Sequence, residues 1–378
     1  MDAKIMIVGL GDLGSVFLDL LLRIPESVEV VVATRNQERA APRCNLAQLA
    51  ALAQGSLSRV RLVRLDLDDV AATARTISAE CPEILLSTAT MSTWWLPDLL
   101  PPEDARSIRR AGFGVWLPVH LAPTLRLMRA VREARFKGFV LTAPYPDVVN
   151  CALGKVGLAP TSGIGNVAEI VPKVMRRAAA ALDCQPEHLR ISLVAHHALV
   201  SYAYRSVAPR PGEAIPPFLL RVEHQGEDMS GQLDLRDLIL GPEPLTGGRA
   251  THLLTASVTI PLTRALMQDV PVALHAPAPA GLPGGYPVTV SRAGVELALG
   301  SIPLAEAIAA NTAAQRFDGV ETVLDDGTVL LNPDNVAQLQ SVLGPCAARI
   351  SISEVEDQAT DLVRRYQAFA KKRGAGSA

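Results

Sequence analysis

The first 34 residues contain the feature that most restricts how this chain can fold. An apolar run over residues 3–8 (AKIMIV) leads directly into the glycine-rich sequence GLGDLG. The next run, SVFLDLLLRI, has apolar residues at helical spacing, and VEVVVAT over 28–34 has the composition of a buried strand. Strand, glycine loop, helix and strand in immediate succession predict a parallel sheet with crossover helices.

Each glycine of this loop meets a different physical requirement. Gly9 allows a sharp turn, Gly11 lets the backbone approach a pyrophosphate, and Gly14 lets the helix pack closely on the strand. The start of the helix adds unpaired N–H groups and a partial positive charge, which favour phosphate. The loop is therefore predicted to bind a dinucleotide. Its candidate cofactor-binding residues are Gly9, Leu10, Gly11, Asp12, Leu13 and Gly14.

The end of the second strand bears on which dinucleotide binds. An acidic residue there holds the ribose 2′-hydroxyl of NAD, whereas an arginine accommodates the 2′-phosphate of NADP. The segment Thr34-Arg35-Asn36 contains no acidic residue. Arg35 is a candidate clamp for a 2′-phosphate, with Thr34 and Asn36 donating beside it; the alternative is a solvent-facing arginine at a helix start. The sequence thus favours NADP over NAD.

Strand and helix candidates continue to alternate up to residue 143. Ligands of such sheets lie beyond the carboxyl ends of the strands, so Thr88, Ala89 and Thr90 are expected beside the cofactor. Residues 91–102, rich in Trp and Pro, are either a lid over the nicotinamide or a loop packed on a second domain. The predicted fold is α/β: an N-terminal Rossmann domain over 1–143 with a doubly wound parallel sheet, and a C-terminal α+β domain over 144–378 for substrate binding and dimerisation.

Charge and cysteine content argue against several classes of protein. Lys and Arg number 36 and Asp and Glu 38, giving a net charge of −2 with no long charged run. Nucleic acid and anionic membranes are therefore not expected as partners. The five cysteines are scattered without a CxxC pair, which disfavours disulfides and a thiolate zinc site. Without a signal peptide or a bilayer-length apolar run, we expect a cytoplasmic protein with a small-molecule substrate.

Three landmarks of the second half point to a known family. They are Thr142-Ala143-Pro144 at the end of a strand candidate, VAHH ending at His197, and a strand pair over 286–297 (YPVTVSRAGVEL). In this order they resemble the lactate/malate dehydrogenase superfamily, which includes NAD-dependent glycosidases. That family has an Asn-Pro turn, a catalytic histidine and a late strand pair at these places. The resemblance implies an NAD(P)-dependent dehydrogenase that forms a homodimer.

The chain departs from the family pattern where substrate would bind. Ala143 stands at the turn Asn, and Asn150 further on is a candidate to reach the nicotinamide. Alignment on residues 163–166 puts Ala168 and Val171 where the family has an Asp and a substrate-binding Arg. Without that Arg the chain lacks the bidentate cation that would hold the carboxylate of a small 2-keto acid. The remaining resemblance, to opine and saccharopine-type dehydrogenases, implies imine reduction and a product with an amine.

Hydride transfer needs a proton donor and acceptor with a pKa near neutrality, which histidine supplies. His197 is the first candidate, and His196 would point to the opposite side if the strand continued. The alternative is that both rings are core residues, and no nearby acidic residue completes a metal site. The candidate substrate contacts are His120, Asn166, Tyr202 and Arg205. A non-catalytic NADP-sensing protein and an NAD-dependent glycosidase are the alternative functions.

Overall fold

A six-stranded parallel sheet organises the first part of the chain. The structure, a computed structural model, describes residues 3–210 and 212–374. The strand order is β3-β2-β1-β4-β5-β6, so the order reverses next to β1, where ligands bind in sheets of this kind. The bounds are β1 Ala3–Val8, β2 Val28–Thr34, β3 Arg59–Arg64, β4 Ile84–Ser87, β5 Phe139–Thr142 and β6 Ser162–Gly163.

Helices cover both faces of this sheet, because its central strands are apolar on both faces. Ile5, Met6 and Ile7 of β1 are fully buried. The helices are α1 Asp12–Leu21, α2 Gln37–Ala53, α3 Val70–Glu80, α4 Pro102–Arg110, α5 Leu117–Glu133 and α6 Pro146–Lys155. The predicted Rossmann sheet is confirmed, and β6 extends it beyond residue 143.

An antiparallel sheet forms the core of the following α+β part. Its order is β10-β11-β7-β8-β9, with β12 paired to β11 as the hairpin expected over 286–297. The strands are β7 Leu189–Ala195, β8 Phe218–His224, β9 Glu227–Asp228, β10 Val272–Pro277, β11 Gly285–Ser291 and β12 Gly294–Leu297. The helices are α7 Val167–Leu182, α8 Ala198–Ala203, α9 Leu235–Leu240, α10 His252–Ala265 and α11 Leu304–Ala314.

The last part of the chain returns to the first sheet. It contains β13 Val320–Val323, β14 Val329–Leu331, α12 Pro333–Leu343, β15 Arg349–Ile350 and α13 Val355–Lys372. Helix α13 packs on α5 and α12 packs on α4, and the buried side chains of these elements join one core. Arg126 of α5 also pairs with Glu356 of α13 at 2.7 Å. This return carries the turn before β13 to the boundary between the two large sheets. Among the described helices, none combines the length and apolarity needed to cross a membrane.

Candidate active site

The glycine loop between β1 and α1 is shaped for a group that approaches its backbone. Gly9 has φ +95°, a conformation that favours glycine, and a Cβ on Gly14 would lie 2.2 Å from the Gly9 carbonyl oxygen. A Cβ on Gly11 would meet nothing within 4 Å. Gly11 also begins α1 without a side-chain cap, so the first N–H groups of the helix face this open space. The loop therefore fits a dinucleotide pyrophosphate.

The surroundings of the loop hold it in place. Thr88 donates to the Gly9 carbonyl at 3.0 Å, and the Gly9 N–H donates to Ala33 at the end of β2. Leu10 and Leu13 pack against the core beneath the loop. The loop is thus tied to β2 and β4 on its two sides.

The residues at the end of β2 that are predicted to select the dinucleotide differ in whether their side chains are available to a ligand. Arg35 is exposed and forms no ion pair within the described part of the chain, whereas Thr34 is half-buried. The Asn36 side chain accepts from Arg39 N–H at 2.9 Å and so caps α2. Arg35 therefore remains available to a ligand, while the Asn36 oxygen is engaged.

The two adjacent histidines meet a carboxylate from the last part of the chain. Strand β7 ends at Ala195, and His197 has helical angles (φ −42°, ψ −40°) at the start of α8, so the expected strand alternation does not extend to these residues. His197 Nδ1 lies 2.7 Å from Asp318 Oδ2. Tyr145 donates to the same oxygen at 3.1 Å, and Nδ1 of the fully buried His196 lies 3.5 Å from it. Both histidines therefore face one carboxylate.

A second carboxylate fixes the backbone of His197. Asp147, at 1% exposure, accepts from the His197 N–H at 2.8 Å with Oδ1. Its Oδ2 accepts from the Asn166 side chain. Asn166 has φ +51°, which is strained for a residue with a side chain and is maintained here by this contact before α7. Asp147 and Asn166 thus set where α8 and α7 begin.

The electrostatics keep His197 charged at neutral pH. Burial by itself would lower the pKa of His197, but Asp318, Asp147 and Glu169 overcome it and raise that pKa to about 9. Burial likewise works to raise the pKa of Asp318, and the charge and hydrogen bond of His197 bring that pKa below its usual value. Burial lowers the pKa of His196, so this ring is neutral. The described residues offer no partner to His197 Nε2, and this side chain is 25% exposed.

An aromatic side chain joins the pair to the end of β4. The Phe113 ring lies 4.6 Å from His197 and stacks on His120 at 5.4 Å, centroid to centroid. His120 is 4% exposed and its Nδ1 lies 2.9 Å from Thr90 Oγ1. Burial lowers the pKa of His120 to about 3, with the His197 charge adding to the effect. Thr90 and His120 therefore border the site as neutral groups.

Three predicted site residues are engaged elsewhere. Asn150 is fully buried and its side-chain oxygen accepts from Thr142 at 2.9 Å. Arg205 lies 3.8 Å from the Tyr202 ring centre and pairs with Glu213 at 2.6 Å. Four residues that surround His197 were not predicted from the sequence: Phe113, Tyr145, Asp147 and Asp318. Within residues 3–210 and 212–374, no group of three or more His, Cys, Asp and Glu side chains is arranged to hold a metal ion.

Comparisons with known proteins identify the fold. No protein-family profile and no curated protein sequence matches the chain. Lactate dehydrogenase from Eimeria maxima with NADH and oxamate is 12% identical, with a TM-score of 0.57 over 84% of this chain and 92% of that one. Malate dehydrogenase from Plasmodium falciparum in complex with NADH is 10% identical, with a TM-score of 0.55 over 83% and 95%. Malate dehydrogenase from Cryptosporidium parvum is 14% identical, with a TM-score of 0.54 over 84% and 98%. The chain has the fold of lactate and malate dehydrogenases, as the order of its sequence landmarks predicted.

Proposed function

We propose that this protein is a nicotinamide-dinucleotide-dependent dehydrogenase acting on a carbonyl or imine carbon of a small polar substrate. The observation that carries the proposal is the His197–Asp318 pair, which lies beside a sheet with an open glycine loop. The Nε2 atom of His197 has no partner among the described residues. The likeness in fold to lactate and malate dehydrogenases supports the same class of reaction.

The chain offers a complete set of groups for the dinucleotide. The turn at Gly9 and Gly11 with the start of α1 would hold the pyrophosphate, and residues 34–36 would face the adenosine ribose. When bound, the nicotinamide supplies or accepts the hydride. Two of the similar structures contain NADH, whereas the exposed Arg35 supports a 2′-phosphate. The preference for NADP therefore stays a prediction from Arg35.

His197 performs the proton transfer in this proposal. In the direction of reduction its Nε2–H donates to the substrate oxygen or nitrogen as that atom gains electron density. In the reverse direction the neutral ring accepts the proton. Asp318 holds Nδ1–H, which fixes the tautomer and stabilises the charged ring, while Asp147 fixes the backbone. A pKa of about 9 keeps the His197 ring protonated at neutral pH, so that it can donate a proton.

The charges around the site support a substrate with an amine. Three carboxylates, Asp147, Asp318 and Glu169, act on His197, and no Lys or Arg in the described ranges pairs with any of them. A small 2-keto acid needs a cationic clamp for its carboxylate, which this set does not provide. We therefore favour an imine substrate or an amine-bearing product over a simple hydroxy acid.

A leucine stripe on α2 supports the proposed homodimer. Leu46, Leu49 and Leu52 lie at three-residue spacing and remain 63%, 65% and 56% exposed. Leucines so placed on one helix face are typical of a surface covered in an assembly, and a second copy is the occupant we propose. Sedimentation should give a dimer for the native protein and a monomer for Leu49→Glu. A native monomer would contradict the dimer.

The proposed function is tested in two stages. The purified protein and Arg35→Asp are each titrated with NADH and NADPH, and we expect NADPH affinity to fall in the variant. The loaded protein is then offered a panel of carbonyls, alone and mixed with primary amines, while the absorbance of the reduced nicotinamide is followed. Oxidation of the reduced nicotinamide, either with carbonyls alone or with carbonyls mixed with amines, supports the assignment as a dehydrogenase. Tight cofactor binding without consumption across the panel would favour a non-catalytic sensor, and absence of binding would refute both.

A further inference from the structure

The contact between the segment after β4 and the start of α10 forms a junction, and these two elements hold three buried polar atoms that have no partner among the described residues. The segment after β4 contributes Thr93 Oγ1 and Trp95 Nε1, and the start of α10 contributes His252 Nδ1. The His252 side chain is only 7% exposed. Buried polar groups are nearly always paired, so the unpaired nitrogen of the buried His252 ring has room in its hydrogen bonding for a ligand.

The free nitrogen of His252 is a donor. Trp94 donates from Nε1 to His252 Nε2 at 3.3 Å, so Nε2 is the acceptor and the ring proton sits on Nδ1. Burial lowers the pKa of His252, which keeps the ring neutral and preserves this tautomer. The same bond packs the Trp-rich loop against the second domain, one of the two arrangements expected from the sequence. His252 therefore directs a buried, unpaired N–H away from Trp94.

The junction lies between the glycine loop and the catalytic pair. Helix α10 packs along α1, and the charge of Asp12 in the first turn of α1 acts on the His252 ring. On the other side, the segment after β4 begins at Thr90, which contacts His120 next to the Phe113–His197 stack. A dinucleotide that placed its pyrophosphate at α1 and its nicotinamide at His197 would cross this junction.

We propose that His252 donates from Nδ1 to an oxygen of the nicotinamide-side half of the dinucleotide, that is, to its phosphate or ribose. The inference rests on the proposed function, because it needs a dinucleotide bound at the glycine loop. It adds a cofactor contact from the second domain, so the two domains would hold the cofactor together.

Two substitutions of His252 distinguish the effect of losing the hydrogen-bond donor from the effect of changing the shape of the side chain. His252→Phe keeps an aromatic ring and removes the donor, whereas His252→Asn keeps an amide nitrogen near the Nδ1 position. Affinity for NADH and NADPH is measured by energy transfer from the tryptophans, of which the sequence has three. His252→Phe should bind both about tenfold more weakly and His252→Asn within about threefold of the native protein. Affinity for AMP, which lacks the nicotinamide half, should not change in either.

The outcomes distinguish this inference from the proposed function. If the native protein binds the dinucleotides and His252→Phe binds them equally well, the contact is refuted while the function stands. An equal loss of AMP affinity would also refute it, because the damage would then be general. If the native protein binds neither dinucleotide, the function fails and this contact with it. In the native protein, saturating NADH should shift the NMR signal of His252 Nδ1–H, and an unmoved signal refutes the contact without any variant.

Discussion

Asp318 lies 2.7 Å from Nδ1 of His197 although 121 residues separate them in the chain. The carboxylate comes from the turn before β13, and the following helices α12 and α13 pack on α4 and α5 of the first sheet. On α7, where the resembling family has an Asp, this chain has the buried Ala168. The histidine therefore obtains its partner from the last part of the chain, so that part belongs to the site.

Replacing the proposed acid should stop chemistry and spare cofactor binding. We expect His197→Asn to lower kcat by about two to four orders of magnitude, because general acid–base catalysis contributes that much. Affinity for the dinucleotide should change little, since His197 lies outside the glycine loop. His188→Asn, at an exposed position, is the matched control and should retain full activity. Unchanged turnover in His197→Asn would remove this residue from the mechanism.

Two glycine substitutions should separate binding from folding. The Cβ of Gly11→Ala enters open space, so we expect an unchanged Tm and weaker dinucleotide binding. The Cβ of Gly14→Ala would lie 2.2 Å from a backbone oxygen, so both Tm and binding should fall. Thermal unfolding and cofactor titration of the two variants measure this. Native affinity in Gly11→Ala would contradict the placement of the pyrophosphate.

The His197–Asp318 pair should make the folded protein less stable as the pH rises. The pKa of His197 is raised from 6.5 to about 9 in the folded protein, so its stabilisation is complete below 6.5 and disappears as pH rises through 9. The pKa of Asp318 is lowered, so this residue stays ionised across that range. Between pH 6 and 9.5 the native protein should lose on the order of 3 kcal/mol more stability than Asp318→Asn.

Urea unfolding of the two proteins at pH 6 and 9.5 provides the comparison. Asp318 also acts on His196 and Tyr145, but His196 is neutral because burial lowers its pKa, and Tyr145 is neutral because its pKa is raised. Titrating groups that Asp318 does not contact are common to both proteins and cancel in the difference. Equal losses in the native protein and the variant would show that the carboxylate does not hold the charged ring.

Much of the fold was encoded locally and was predicted correctly. The loop around Gly11 follows an apolar strand and precedes a helix, and the hairpin at residues 286–297 has strand residues on both sides of a glycine turn. These patterns need only neighbouring residues. Strand β6 was missed because it has two residues, too few for a periodic signal.

The site was predictable only in part, because its partners are distant in sequence. His197 was predicted from its place at the end of an apolar strand, whereas nothing in the sequence near Asp318 indicates a contact with that ring. Asp147 and Tyr145 flank a proline after β5, and an acidic residue at such a turn was the available signal. The opposite orientation of His196 was predicted only for a continuing strand, and that condition is not met because β7 ends at Ala195 and the backbone is helical at His197.

The most direct test of this account is an NMR titration of the His197 ring nitrogens. In the native protein we expect a pKa of about 9, with the proton held on Nδ1 next to Asp318 and Nε2 titrating. In Asp318→Asn the pKa should fall markedly because burial then acts with less opposing charge. A native pKa at or below 6.5, or one that Asp318→Asn leaves unchanged, would contradict the proposed acid–base pair.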